Sequence, residues 1–228
     1  MKKTAIAFLF GMFALNAGFA PAAGATDLLF DYVGFDYESP NPDPGQFGEL
    51  GAGYVSLGEV PVLYAPLVYN VVANEYTYII SGLTAVNRQV VGPFIIVDYA
   101  GGILDVYEDS RSLGTAAVYG INPPNATAPP TFTDGTFFLG GSLTNFRFVF
   151  NTVDNSGSFE ANYQATGGSQ LANIPVNKRS GWTFAGATSN ALNIPQGYAH
   201  QIDGQVLVEE VVPAQDASWG RLKANYRK

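Results

Sequence analysis

The stretch Asn145–Thr166, NFRFVFNTVDNSGSFEANYQAT, carries the clearest structural pattern in the chain. Phenylalanine occupies every second position from Phe146 to Phe150, and apolar residues again occupy every second position from Phe159 to Ala165. Because successive side chains of a strand point to opposite faces, a period of two predicts half-buried β-strands. Asp154–Gly157 has the composition of a turn, so the stretch predicts a β-hairpin.

Similar short runs, separated by clusters of Gly, Pro, Asn and Asp, occur along the rest of the chain. They predict further strands at Leu28–Phe35, Tyr54–Val60, Leu67–Val72, Tyr76–Leu83, Val90–Tyr99, Ile103–Glu108, Thr136–Leu143, Trp182–Ala185 and Tyr198–Glu209. No helical period separates these runs, which favours antiparallel sheets over parallel ones. We therefore expect an all-β fold, an antiparallel jelly-roll-like β-sandwich of about 10–12 strands. Two proline-rich segments, Glu38–Gly53 and Gly120–Gly135, are predicted to be long loops.

The first 25 residues have the three parts of a bacterial secretory signal peptide. Lys2 and Lys3 precede an apolar run from Ala5 to Ala20, and Ala23–Ala25 supplies the small residues of a cleavage site. The alternative is an uncleaved anchor, but the run is shorter than the roughly 20 residues of a spanning helix. The opening MKKTAIA resembles the signal peptides of enterobacterial outer-membrane proteins, which implies an export route only. We expect a protein outside the cell or on its surface, with the periplasm as the alternative.

Cysteine and charge narrow the classes of function. The chain has no cysteine, so disulfides, a lipoprotein anchor and cysteine-ligated metals are excluded. All 19 acidic residues lie before Ser218, together with only five basic residues that follow the signal peptide. Nucleic-acid binding needs clustered Lys and Arg and is not expected. No apolar run after the signal is long enough for a transmembrane helix.

The last 18 residues differ from the rest of the chain. We divide the sequence into a signal peptide at 1–25, a β-domain at 26–210, and a linker with a basic amphipathic tail at 211–228. The tail has the spacing of a short amphipathic helix, but a helix of this length needs a partner surface. A frayed terminus, a sorting or docking segment, and packing against the acidic domain are the alternatives. The residues for sorting or docking are Trp219, Arg221, Leu222, Lys223, Tyr226 and Arg227.

Aromatic residues are the candidate ligand-binding groups. Extracellular β-domains bind sugars by stacking aromatic rings on them, and Trp182, Tyr54 and Tyr198 are the candidates for such a site. His200, the only histidine, is a further candidate, and no G-x-S-x-G motif is present to indicate a catalytic serine. Packing in the core is the alternative role for each of these residues.

One acidic loop makes a structural calcium ion the only candidate cofactor. Asp36, Glu38, Asp43 and Glu49 lie in or beside a segment bent by proline and glycine, and calcium prefers such oxygen ligands. The spacing does not follow the D-x-D-x-D-G pattern, so a solvated acidic loop is the alternative.

These observations predict a secreted or surface-displayed, non-catalytic β-sandwich protein with a ligand-binding or extracellular structural role. Its expected partner is a glycan or another component of the cell envelope. Two alternatives remain: a carboxylate-based polysaccharide hydrolase, which needs a pair of acids at a set separation, and an outer-membrane β-barrel, which also alternates along its strands.

Overall fold

The strands of the domain are longer and fewer than the sequence predicts. The computed structural model describes residues 26–39, 47–119, 130–190 and 193–209. Thr26–Glu209 form one compact unit. Its eight strands are β1 (Thr26–Ser39), β2 (Gly53–Leu63), β3 (Asn74–Val91), β4 (Phe94–Ser110), β5 (Thr136–Asn151), β6 (Ser156–Gly167), β7 (Trp182–Ser189) and β8 (His200–Glu209). Three single turns of 3-10 helix lie at Pro130–Phe132, Leu171–Asn173 and Val176–Lys178.

The eight strands form a closed barrel in sequence order. Each strand pairs antiparallel with the next, and β8 closes the barrel on β1, with Gly34 opposite Ile202. The predicted jelly-roll-like sandwich of about 10–12 strands is therefore wrong. A jelly roll divides its strands between two sheets, whereas here each strand pairs with its neighbours in sequence around one closed sheet.

The error has a local cause in residues that resemble turns. Gly101 and Gly102 lie inside β4, and Asn145 lies inside β5, where they take positive φ angles without ending the strand. Such irregularities are tolerated within bent strands of a barrel. Conversely, the true turn between β3 and β4 falls at Gly92, inside the predicted strand Val90–Tyr99. The predicted strand Leu67–Val72 lies in the connection between β2 and β3. The predicted hairpin of Asn145–Thr166 is present as β5 and β6.

Aromatic rings fill the interior of the barrel. Tyr32 stacks on Phe184 at a centroid distance of 4.8 Å, and Phe159 stacks on Phe146 at 5.7 Å. The hydroxyl of Tyr32 donates a hydrogen bond to the carbonyl oxygen of Ala185 on β7, beyond the intervening strand β8. This ring fits because residue 204 is a glycine, since a Cβ there would lie 2.2 Å from the Tyr32 hydroxyl oxygen.

A second apolar cluster covers part of the outside of the barrel. The connection between β4 and β5 and the connection between β7 and β8 fold over the outer faces of β1, β2 and β3. We call this cluster the outer layer, and its members are Phe35, Tyr37, Val55, Leu57, Ile79, Ala117, Tyr119, Phe132, Ile194 and Tyr198. Leu57 points outward yet is fully buried beneath it. The two connections meet where the Tyr198 hydroxyl donates to the carbonyl oxygen of Tyr119.

Several sequence predictions concern residues outside the described part of the chain. These are the signal peptide at 1–25, the tail at 211–228, and the central portions of both proline-rich loops. Within the described residues, no helix is long and apolar enough to span a membrane.

Candidate ligand-binding groove

The pairing between β4 and β5 is interrupted near the middle of both strands. Tyr99 pairs with Phe146 and Ile103 pairs with Ser142, but residues 100–102 and 143–145 have no partners across this boundary. The register is the same on both sides of the gap, so the strands separate and rejoin without slipping. Ala100 and Thr144 keep their pairs with β3 and β6, respectively, although β5 also shifts register against β6 between Thr144 and Arg147.

Local backbone conformation explains the separation. Gly101 and Gly102 have φ angles of 75° and 101°, and Asn145 has a φ of 56°. These left-handed conformations are accessible to glycine, and asparagine is among the few other residues that adopt them readily. These three residues lie in the unpaired segments 100–102 and 143–145, where they turn the backbones away from the regular ladder.

A groove of about 620 Å³ opens on the outer surface at this interruption. We call it the lateral groove; its rim includes Asp98, Asn145, Arg147 and Glu160, and its floor includes Tyr99 and Phe146. The volume lies within the range of small-molecule sites, about 300–1,000 Å³. An apolar floor with a few polar groups at its edge is the usual composition of such sites.

The polar groups of the rim are held in register by the sheet. Arg147 pairs with Asp98 on one side and with Glu160 on the other. Its Nε atom lies 3.4 Å from Oδ1 of Asp98, and Asn87 donates a hydrogen bond of 2.8 Å to Oδ2 of the same carboxylate. Both members of the Arg147–Asp98 pair are partly exposed, so the pair contributes little to stability. Its polar atoms remain accessible to a ligand.

Behind the floor of the groove, Tyr99 joins the lateral groove to a buried carboxyl group. The Tyr99 hydroxyl donates a hydrogen bond of 2.5 Å to Oε1 of Glu38, which also accepts from the backbone N–H of Gly48. Burial raises the pKa of Glu38, and this effect outweighs the hydrogen bonds from Tyr99 and Gly48 that lower it. Burial also raises the pKa of Tyr99, and the charge of Glu38 raises it further.

Asp36 is the centre of a second buried polar cluster. It accepts hydrogen bonds from the hydroxyl of Tyr54 at 3.0 Å and from the backbone N–H of His200 at 2.8 Å. Nδ1 of His200 lies 3.0 Å from Oδ1 of Asp36. Burial lowers the pKa of His200, but the charge of Asp36, the hydrogen bond to it and the charge of Glu38 give a net increase. The rings of Phe47 and Phe150 contact the imidazole on its other sides.

The four residues predicted from sequence as ligand-binding groups do not form one surface. Tyr54 and His200 lie inside the barrel and share Asp36 as a partner. Trp182 is buried at the start of β7 and donates to the carbonyl oxygen of Lys178. Tyr198 belongs to the outer layer. Each of the four is at most 9% exposed.

The residues predicted to bind calcium are also separated. Asp36 and Glu38 point into the barrel and are occupied by tyrosine, histidine and backbone partners. Glu49 is exposed, and Asp43 lies outside the described residues. Among the described residues, no group of three His, Asp or Glu side chains is placed to hold a metal ion. The predicted tail residues 219–227 likewise lie outside the described part.

Sequence reasoning missed the residues of the lateral groove. Arg147 and Glu160 were visible as outward positions of two alternating strands, but their pairing across the sheet depends on the register. The signal that was available is the Gly101-Gly102 pair within an apolar run, because glycines inside a strand mark bulges or close approaches.

Comparison with known proteins adds no relative of this chain. No family model matches it, nor does any curated protein or any solved structure. The fold and the groove define its class as a closed, eight-stranded, antiparallel barrel with a filled interior and a lateral opening in its wall.

Proposed function

We propose that this protein is an exported, non-catalytic binding protein whose lateral groove takes a neutral saccharide. The observation that carries this proposal is the interruption between β4 and β5, which opens a groove with a polar rim in the barrel wall. The groove replaces the predicted aromatic residues as the candidate glycan site, because those residues are buried.

The interior of the barrel is a poor place for a ligand because protein side chains already fill it. Rings from six strands pack there at centroid distances of 4.8–6.4 Å. Barrels of eight strands have an interior that is either filled by side chains or able to hold one small ligand. In this barrel the interior is filled by side chains, so a ligand is expected on the outside of the wall.

The rim favours a neutral, hydroxyl-rich ligand. Carboxylates, a guanidinium group and an amide present planar arrays of donors and acceptors, which suit the adjacent hydroxyls of a sugar. Asp98 and Glu160 carry two negative charges against the single positive charge of Arg147. An anionic ligand would meet this excess and the formal net charge of −8 of the chain, which disfavours it.

The outward side chains of the strands indicate whether the barrel lies in water or in a membrane. A closed antiparallel barrel is also the architecture of the outer-membrane alternative, whose outward side chains form an apolar band. On β6 the outward residues Ser158, Glu160, Asn162 and Gln164 are all exposed and polar. Exposed apolar side chains also lie on β3, β4 and β5, among them Val86, Ile103 and Phe137, so it is the polar outer face of β6 that supports a barrel surrounded by water. Fractionation of an expressing cell tests this location: we expect the protein in the periplasm or medium, and recovery in the outer-membrane fraction would contradict it.

Calorimetric titration with neutral cello-, malto- and xylo-oligosaccharides tests the binding proposal. We expect measurable binding by the wild type and its loss in Ala100→Trp, which places a large side chain in the groove. Gln164→Trp is the matched control, because Gln164 is equally outward and exposed but lies outside the groove. Absence of binding by the wild type, or equal loss in both variants, would contradict the proposal. Release of reducing ends in the same samples would favour the hydrolase alternative.

A further inference from the structure

A second depression adjoins the lateral groove on the outer surface. It has a volume of about 390 Å³, and its lining includes Ser158 and Ala185 together with Arg147 and Glu160. Arg147 and Glu160 also line the lateral groove. The two depressions are therefore contiguous and share one pair of charged residues at their boundary.

The register of the sheet arranges this surface across four strands. Asp98 of β4 pairs with Arg147 of β5, Arg147 with Glu160 of β6, and Glu160 with Ala185 of β7. Neighbouring strands lie about 4.8 Å apart, so the row spans about 14 Å from β4 to β7. These four residues form a row that runs across the strands. Their side chains are charged on β4, β5 and β6, and on β7 only the methyl group of Ala185 remains.

We infer that this surface binds a linear neutral oligosaccharide that crosses the strands from β4 to β7, with Arg147 and Glu160 between two sugar subsites. The inference rests on the proposed function and names its ligand as a chain of several units. The first two sugar units occupy the lateral groove, and the following units lie over the second depression.

The shared charged residues suit the boundary between two subsites. Arg147 has several N–H donors in a fixed plane, and the Glu160 carboxylate offers acceptor sites only. A hydroxyl group both donates and accepts, so neighbouring hydroxyls of two successive sugar units satisfy the pair from both sides. The small residues Ser158 and Ala185 then leave space for the chain to pass over β6 and β7.

A chain-length series tests this inference with the wild type, Ser158→Trp and Gln164→Trp. The probes are neutral oligosaccharides of one to six units from the series that binds the wild type. We expect the affinity of the wild type to rise at least about tenfold between the disaccharide and the tetrasaccharide. Ser158→Trp should bind the disaccharide as the wild type does and lose the increase, because it fills only the second depression. Gln164→Trp should retain the increase.

The outcomes separate this inference from the proposed function. If the disaccharide binds and longer chains gain nothing, the extended site is wrong and the lateral groove remains a saccharide site. The same conclusion follows if Ser158→Trp retains the full increase with chain length. If no oligosaccharide binds the wild type at any length, the proposed function and this inference both fail.

Discussion

Nδ1 of His200 lies 3.0 Å from Oδ1 of Asp36 inside the barrel wall, where the Asp36 side chain also accepts a hydrogen bond from Tyr54. This contact joins β8 to β1 at the boundary that closes the barrel. The only histidine of the chain therefore stabilises the closure when it is protonated.

The unfolding free energy should decrease as the pH rises from below about 6.5, the ordinary pKa of histidine, through the raised pKa of His200 in the folded state. Burial lowers the pKa of His200, but Asp36 and Glu38 raise it above the ordinary value of 6.5 overall. A pKa raised by folding gives stability that is present below the unfolded pKa and is lost as the pH passes through the folded pKa. Urea denaturation across this range measures the effect.

His200→Asn is the variant that isolates this pH dependence. Asparagine keeps a hydrogen-bond donor near the position of Nδ1 but does not titrate. The variant should be less stable at low pH, since the ring contacts with Phe47 and Phe150 are lost, and its stability should change less with pH. An unchanged slope in the variant would show that other groups cause the dependence.

Tyr54→Phe and Tyr163→Phe should have opposite consequences although both remove a buried hydroxyl group. Tyr54 donates to the buried Asp36, and its loss should reduce the unfolding free energy by about 1–3 kcal/mol. The Tyr163 hydroxyl has no hydrogen-bond partner among the described residues, so its removal should be neutral or stabilising. Thermal and urea unfolding of the two variants measures the difference, and equal destabilisation would contradict the assigned contacts.

Gly204→Ala should destabilise the barrel by about 2–3 kcal/mol, through overpacking. The added Cβ would lie 2.2 Å from the Tyr32 hydroxyl oxygen and 2.3 Å from the carbonyl oxygen of Ala185. Gly53→Ala is the control, because the nearest atom to its Cβ would be 3.6 Å away. Comparable stability of both variants would show that Tyr32 does not occupy this position.

Phe132→Ala should reduce the unfolding free energy by about 4 kcal/mol. Phe132 is fully buried in the outer layer, which also buries the outward-pointing side chain of Leu57. Leu113→Ala, in the same connection between β4 and β5, changes a side chain that is 91% exposed and should have little effect. Similar urea midpoints for Phe132→Ala and the wild type would mean that this connection does not pack on the barrel.

The sequence pattern predicted the strands better than their arrangement. Alternation identified β5 and β6 because one face of each is apolar and the other polar. It did not reveal closure, since a sandwich and a barrel bury the same faces of similar strands. Leu57 shows a further limit of the sequence pattern. Its outward apolar side chain is explained only when the connection that carries Phe132 is known to cover it.

The lateral groove was beyond sequence analysis for a related reason. Its rim depends on register, which places Arg147 between Asp98 and Glu160 although these residues are far apart in the chain. Its opening depends on the positive φ angles of Asn145 on β5 and of Gly101 and Gly102 on β4, which lie in two neighbouring unpaired segments. The sequence favours Tyr54 and His200 as ligand-binding groups, but strand parity places both inside the barrel.

Amide chemical shifts of the isotope-labelled wild type, followed during titration with a neutral tetrasaccharide, would locate the bound sugar on the barrel. We expect saturable shifts concentrated at Ala100, Thr144, Arg147, Glu160 and Ala185, and small changes at Gln164 and in the outer layer. Absence of saturable shifts with any neutral tetrasaccharide, or shifts centred on a different face of the barrel, would contradict the assignment of the lateral groove as the binding site.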